Sequence, residues 1–196
     1  MIAHLRGVIV EKRPNQVIVE AGGVGYDVNI PISTYAALPA KGAEVRLHVY
    51  THVREDVLAL YGFLSGEEKM LFERLITVSG IGPRLAVTVL SGLPVAELIT
   101  AIRSSAVDQL VRIPGIGKKT AERMVLELRE KLPAAAEAVA PSARPALSSL
   151  DRDVLSALVN LGCAPAAAEA AVRQAKTQMP DAEFEPLFRR ALELVR

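Results

Sequence analysis

Residues 75–86 read Leu75-Ile76-Thr77-Val78-Ser79-Gly80-Ile81-Gly82-Pro83-Arg84-Leu85-Ala86, and residues 110–121 read Leu110-Val111-Arg112-Ile113-Pro114-Gly115-Ile116-Gly117-Lys118-Lys119-Thr120-Ala121. The second stretch repeats the first at an offset of 35 residues. Leu75 matches Leu110, Val78 matches Ile113, and Gly80-Ile81-Gly82 matches Gly115-Ile116-Gly117. Arg84, Ala86 and Val89 match Lys119, Ala121 and Met124. Apolar residues at helical spacing lie on both sides of each Gly-Ile-Gly, so each copy predicts helix, tight turn, helix.

The residue types suit a particular chemistry. Glycines let the turn enter φ > 0 and let backbone approach a partner with no Cβ in the way. Successive N–H groups then face one concavity that suits an anion, and the turn opens into a helix whose N-terminal donors and dipole favour negative charge there. Pro83 falls at a first helical position, where its missing donor costs little. Lys118, Lys119 and Arg123 follow the second turn, and cations so early in a helix oppose its dipole unless an anion is bound. One Gly-Ile-Gly would be explained by a tight interhelical turn alone. Two in register, each with a basic residue two positions after its second glycine, point to a pair of phosphate grips. Such grips give affinity for nucleic acid without base readout, with a strong dependence on salt.

Two look-alikes fail on spacing. Gly115-Ile116-Gly117-Lys118-Lys119-Thr120 is not a nucleotide-binding P-loop, because Arg112 stands where its first glycine belongs and Lys119 where Ser or Thr belongs. Gly22-Gly23-Val24-Gly25 has no third glycine and no following helix, and reads as a turn. His4, His48 and His52 show no ligand spacing with the lone Cys163, so neither a metal nor a cofactor is implied.

Outward from the repeat, residues 64–132 are helical in pattern. Capping boxes are expected at Ser65-Gly66-Glu67-Glu68 and, with Asp for Glu, at Ser105-Ala106-Val107-Asp108. Leu71, Leu75 and Val78 line one helical face, and Ala121, Val125, Leu128 and Leu132 another. Ion pairs are expected for Arg123–Glu127 and Glu127–Lys131. Residues 1–63 alternate with period two. Ile2, Val8 and Val10 lead to a turn at Arg13-Pro14-Asn15-Gln16; Val17–Val19, the Gly22-Gly23 turn and Val24–Ile30 follow. After an irregular stretch with Pro31, Pro39 and Gly42 come strands 45–53 and 57–61. Five short strands in so few residues suggest a small closed barrel or a sandwich; an OB-type barrel fits the length and an SH3-like barrel competes with it. Residues 133–149 hold three prolines and seven alanines and read as a flexible linker. Residues 150–196 read as three short helices. Leu150, Val154, Leu158 and Leu161 stripe the first, ended by Gly162; Pro165 starts the second; Leu187, Ala191, Leu194 and Val195 stripe the third.

Composition bounds the function. Half the chain is apolar, but with no Trp and only four Tyr and four Phe its cores are aliphatic. No run approaches the roughly 20 apolar residues of a membrane span, and the start lacks a signal-peptide pattern. A single cysteine suits a reducing, cytoplasmic home. The net charge is only +1, so any electrostatic footprint is a local patch. Against that background Glu55-Asp56 stands out, in the turn between the last two strands. Acids are ordinary in hairpin turns, yet beside bound phosphates they would also act as an electrostatic wedge. A nuclease or glycosylase would need a carboxylate–metal cluster or a buried catalytic acid near the second repeat. A protein adaptor would use the hairpins as turns only.

The combination of His52-Val53-Arg54-Glu55-Asp56, Leu60-Tyr61-Gly62-Phe63, Gly22-Gly23-Val24-Gly25-Tyr26 and the two hairpins closely resembles the RuvA family. The match runs through 1–132 and is looser in 150–196. The resemblance implies a multidomain α+β protein: an OB-fold barrel (1–63), a tandem helix–hairpin–helix domain (64–132), and a three-helix domain (150–196) on a linker (133–149). It implies a non-catalytic subunit that holds four-way (Holliday) junction DNA open in recombination and repair. The expected form is a homotetramer, sometimes doubled to an octamer. Residues 150–196 would recruit the hexameric ATPase RuvB for branch migration, with the resolvase RuvC a further candidate partner. By motif, Gly80, Gly82, Gly115 and Gly117 would shape the phosphate nests. Arg84, Lys118, Lys119 and Arg123 would pair with phosphates, and Thr120 would add a hydroxyl. Glu55 and Asp56 would be an acidic pin at the junction centre.

Overall fold

The computed structural model describes residues 1–132, 148–180 and 182–195. The chain forms two compact units, Met1–Val139 and Ala140–Arg196. The first holds both the strands and the tandem hairpins.

Strands β1 (His4–Arg13), β2 (Gln16–Ala21), β3 (Val24–Asn29), β4 (Glu44–Val53) and β5 (Leu58–Phe63) close a barrel in the order β1-β2-β3-β5-β4. All pairings are antiparallel except β3 with β5. That order is the one of an OB-type barrel, and it settles a choice that strand counting leaves open. Alternate residues fill the interior: Leu5 and Ile9, Val17 and Val19, Val28 and Ile30, and Val45, Leu47 and Val49. On β1 the inward face is that of Leu5 and Ile9; Val8 and Val10, read from sequence as the strand's apolar face, are exposed. The β2–β3 turn uses Gly22 (φ 61°) and Gly23 (φ 82°), a pair of positive φ values that matches the twist of a hairpin. Strand β1 serves both sides of the barrel, pairing with β4 through Val8 and with β2 from Val8 onward, across a bulge between Ile9 and Glu11. Gly7 sits at this switch. A Cβ there would lie 2.1 Å from the Glu20 carbonyl oxygen, so closure requires a residue without a side chain.

The stretch expected to be irregular contains a helix, α1 (Ile32–Ala37). Six residues between prolines are too few to display a period, and distant groups hold it: the Glu68 carboxylate accepts from the hydroxyls of Ser33 (2.8 Å) and Thr34 (3.2 Å). This also alters the first capping box. Ser65 caps α2 (Gly66–Leu75) by accepting from the Glu68 amide, but the Glu68 side chain turns to α1 instead of back to Ser65.

Four more helices complete the unit: α3 (Pro83–Gly92), α4 (Val95–Arg103), α5 (Val107–Leu110) and α6 (Lys118–Leu128). The capping box expected at Ser105 is not formed. Ser105 takes φ 58°, Ala106 stands at the cap of α5, and no side chain caps it. The reason lies in the chain reversal after α4, where Ala106 donates its amide to the Ala101 carbonyl, five residues back. The ion pairs expected for Arg123–Glu127 and Glu127–Lys131 are also not formed: Arg123 reaches across to the other hairpin, and nothing in the structure explains the second. The helices share one core with the barrel's end. Phe72 of α2 lies against Tyr50, Tyr61 and Phe63, with ring centroids 5.3, 5.2 and 5.0 Å away.

The second unit packs α7 (Ser149–Asn160), α8 (Pro165–Gln178) and α9 (Phe184–Val195) around Val154, Leu158, Ala168, Val172, Leu187 and Ala191. Ser148 and Asp151 form a reciprocal capping box at α7, so helix begins within the stretch read as linker. The rest of that stretch, 133–147, lies outside the described residues. Leu161, expected on the buried stripe, is 64% exposed because α7 has ended there, at the turn into Gly162 (φ 93°).

Candidate nucleic-acid interface

The two hairpins are alike in backbone, in burial and in what they leave unpaired. In the first, the Val78 amide donates to Leu75 (3.0 Å) and the Ile81 amide to Val78 (3.0 Å); in the second, Ile113 donates to Leu110 (3.1 Å) and Ile116 to Ile113 (3.0 Å). Gly80 and Gly115 have φ of 92° and 83°. Gly82 and Gly117 cap the following helices at φ −88° and −85°. Only the first glycine of each pair is therefore left-handed; the second is extended backbone that any residue can adopt. The isoleucine between them is the anchor, and Ile81 and Ile116 are equally buried in the shared core.

The helix starts carry the electrostatics. Neither α3 nor α6 has a side-chain cap or an acidic residue in its first turn; α1 and α8 share this, whereas α2, α4, α5 and α7 have an acid there. The amides of Gly82, Arg84 and Leu85 find no acceptor among the described residues, nor do those of Gly117, Lys118, Lys119 and Thr120. Unpaired amides are normal at a helix start. Here they coincide with exposed cations, Arg84 on α3 and Lys118 and Lys119 on α6. Open backbone donors, a positive dipole end and positive side chains thus converge twice on one face. A Cβ on Gly82 or Gly117 would meet nothing within 4 Å, so the fold itself does not demand glycine at either position.

Arg123 differs from the other cations. Its Nη1 donates to the Ser79 carbonyl at 2.9 Å, joining the second motif to the first hairpin. Thr120 is half-buried at the third position of α6. Arg84 also borders a cleft of about 470 Å³ between barrel and α3, floored by Asn15, Asn29, Tyr61, Thr88 and Ser91. Burial pushes the Tyr61 phenol above its ordinary range, and nearby Arg84 acts the opposite way.

Glu55 and Asp56 sit at the tip of the β4–β5 ribbon. The turn is closed by the Arg54 amide on the Val57 carbonyl (2.8 Å) and the reverse bond (3.4 Å). Both acids are exposed, and neither has an ion-pair partner among the described residues. Val53 (67% exposed), Val57 and Leu58 (74% exposed) give the tip apolar shoulders, which the sequence reading does not anticipate. Among the described residues no group of three or more His, Cys, Asp or Glu side chains is arranged to hold a metal ion. No single helix there is long and apolar enough to cross a membrane.

Two family models match the chain: the RuvA N terminal domain over residues 1–62 and the SAM-like helix-hairpin-helix tandem over residues 72–130. Full-length relatives are similar throughout. A protein of Solibacter usitatus is 69% identical over 198 residues, covering all of both chains, and one of Acidobacterium capsulatum is 54% identical over 199 residues with the same coverage. An Escherichia coli protein is 40% identical over 201 residues, covering 98% of each chain. All three carry the name Holliday junction branch migration complex subunit RuvA.

Proposed function

The chain belongs to the RuvA family, and on that premise we propose how its parts carry out the family's work. It is a structure-specific binder of Holliday junctions and the non-catalytic subunit of a branch-migration complex whose ATPase is RuvB. Gly80, Gly82, Gly115 and Gly117 shape two nests that each receive a backbone phosphate. The free amides at the starts of α3 and α6 bind it, and Arg84, Lys118 and Lys119 neutralise it. Thr120 offers a hydroxyl to the second phosphate. Because every one of these groups addresses phosphate, recognition is independent of sequence and comes from the shape of the junction.

The observation that carries this reading is the pair of matched Gly-Ile-Gly turns, each opening into an uncapped, acid-free helix start that bears exposed positive charge, in a protein of net charge +1. Glu55 and Asp56, on a closed ribbon with no ion-pair partner among the described residues, supply the opposing term and repel phosphates where four strands meet. A homotetramer, doubled in some states to an octamer, presents these elements around the junction. The α7–α9 unit engages RuvB, and RuvC is a further partner on the same DNA. The chain works in the cytoplasm.

The test is binding to a four-way junction and to a linear duplex of the same arm length, each at two salt concentrations. We expect the junction to bind more tightly at both, with affinity falling steeply as salt rises. Equal affinity for the two DNAs would remove the junction-specific reading, and no binding at low salt would favour a protein adaptor.

A further inference from the structure

The two motifs share the backbone of their nests, and two of the side chains in which they differ reach from one motif to the other. Position 85, after the first hairpin, is Leu, and its repeat equivalent is Thr120; position 123, after the second, is Arg, and its equivalent is Thr88. Thr88 stays on its own helix, its hydroxyl donating to the Arg84 carbonyl at 3.1 Å. Arg123 crosses to the other motif, with Nη1 2.9 Å from the Ser79 carbonyl oxygen and 3.9 Å from where a Cβ on Gly80 would stand. Leu85 crosses the other way: its Cδ1 lies 3.0 Å from the position of a Cβ on Gly115. Each motif thus sends one side chain onto the left-handed glycine of the other.

We propose that Arg123 and Leu85 form a reciprocal brace that fixes the separation and mutual tilt of the two phosphate nests, with Arg123 acting as a positioning residue and not as a phosphate ligand. The inference rests on the phosphate-grip reading above and deepens it. Two nests on a flexible spacing would each bind one phosphate weakly, whereas a fixed spacing matched to the duplex backbone lets both engage without an ordering cost. The guanidinium suits the task, since its rigid plane fixes the direction in which Nη1–H meets the carbonyl; a lysine would keep the charge but lose that plane and part of the reach. The exposed Ser79 carbonyl is the fitting acceptor because it belongs to the residue just before the left-handed glycine, so holding it holds the turn.

The experiment compares full-length wild type with R123M, R123K, L85A and K118A/K119A by junction titration across a range of salt. For R123M and L85A we expect roughly tenfold weaker binding at every salt concentration with an unchanged slope. We expect R123K to be as defective as R123M. K118A/K119A should instead flatten the slope by about 0.9 for each phosphate no longer neutralised. The titration endpoint separates mechanisms, because partly unfolded protein lowers the fraction that binds without lowering the affinity of the rest. L85A keeps the inference testable if R123M folds poorly, since it changes no charge. A flattened slope in R123M with recovery in R123K would make Arg123 a phosphate ligand and overturn the brace. Wild-type affinity in both R123M and L85A would do the same. An unchanged slope in K118A/K119A would instead refute the phosphate grip itself.

Discussion

At Gly117 the demands of the fold and of the ligand separate, and Gly117→Asp exploits this. The residue caps α6 with φ −85° and ψ 166°, extended values open to any amino acid, and a Cβ there would touch nothing within 4 Å. Asp is among the best N-cap residues, and a negative charge at this end complements both the dipole and the adjacent Lys118 and Lys119. Together these should stabilise the first unit by about 0.5–1 kcal/mol. For a phosphate in the nest the same carboxylate is a like charge at close range. At about 5 Å and an effective dielectric near 20 the repulsion is on the order of 3 kcal/mol, roughly a hundredfold in affinity. Displacement of the charge-assisted amide bonds adds about 1.5–3 kcal/mol. Thermal melting should therefore rise by about 2 °C while junction binding at fixed salt falls by at least roughly a hundredfold. Gly115→Ala is the contrast, since φ of 83° and the Leu85 contact at 3.0 Å should cost about 1–2 kcal/mol of stability. Wild-type junction affinity in Gly117→Asp would refute the reasoning, as would a clear loss of stability.

Lys118→Ala with Lys119→Ala should leave melting unchanged or slightly raised, because two cations leave a positive helix end; junction binding should lose about 0.9 of salt slope per phosphate released. Glu55→Gln with Asp56→Asn should bind junctions as well as or better than wild type, while arm-to-arm fluorescence transfer reports a changed junction geometry; a clear drop in affinity would exclude repulsion at the ribbon tip. Gly7→Ala should cost about 3 kcal/mol in chemical denaturation, because the new Cβ would meet a backbone carbonyl at 2.1 Å that cannot rotate away.

Much of this arrangement is legible in the sequence because the repeat writes itself twice. Ile81 and Ile116, Leu75 and Leu110, and Ala86 and Ala121 are buried to matching degrees, so sequence alignment and spatial equivalence coincide. The five strands are visible for a similar reason, since alternation survives wherever one face meets a core. What escapes the sequence depends on partners far along the chain. Helix α1 is held by Glu68 more than 30 residues away, and Ser105 is diverted from capping by the chain reversal after α4. The cross-hairpin contact of Arg123 is invisible to a reading that pairs it with Glu127 or with a phosphate, because the acceptor is a main-chain oxygen 44 residues back. The second glycine of each hairpin is the subtler case. Sequence assigns it a backbone need, whereas its φ shows that no such need exists within the chain.

The aromatic cluster around Phe72 has a mechanical meaning. Tyr50 and Tyr61 are a cross-strand pair on the same ribbon whose far end bears Glu55 and Asp56, and Phe72 belongs to the helix that enters the first hairpin. Rings about 5 Å apart in a close-packed core scarcely yield to load. If the hairpins hold a DNA arm as proposed, a tug on it would pass through Phe72 into the ribbon as through a stiff lever, moving tip and grips as one body. On the proposed reading, a turning force that a motor applies to the arms would reach the crossing point through this bearing, with little of it lost to bending inside the first unit.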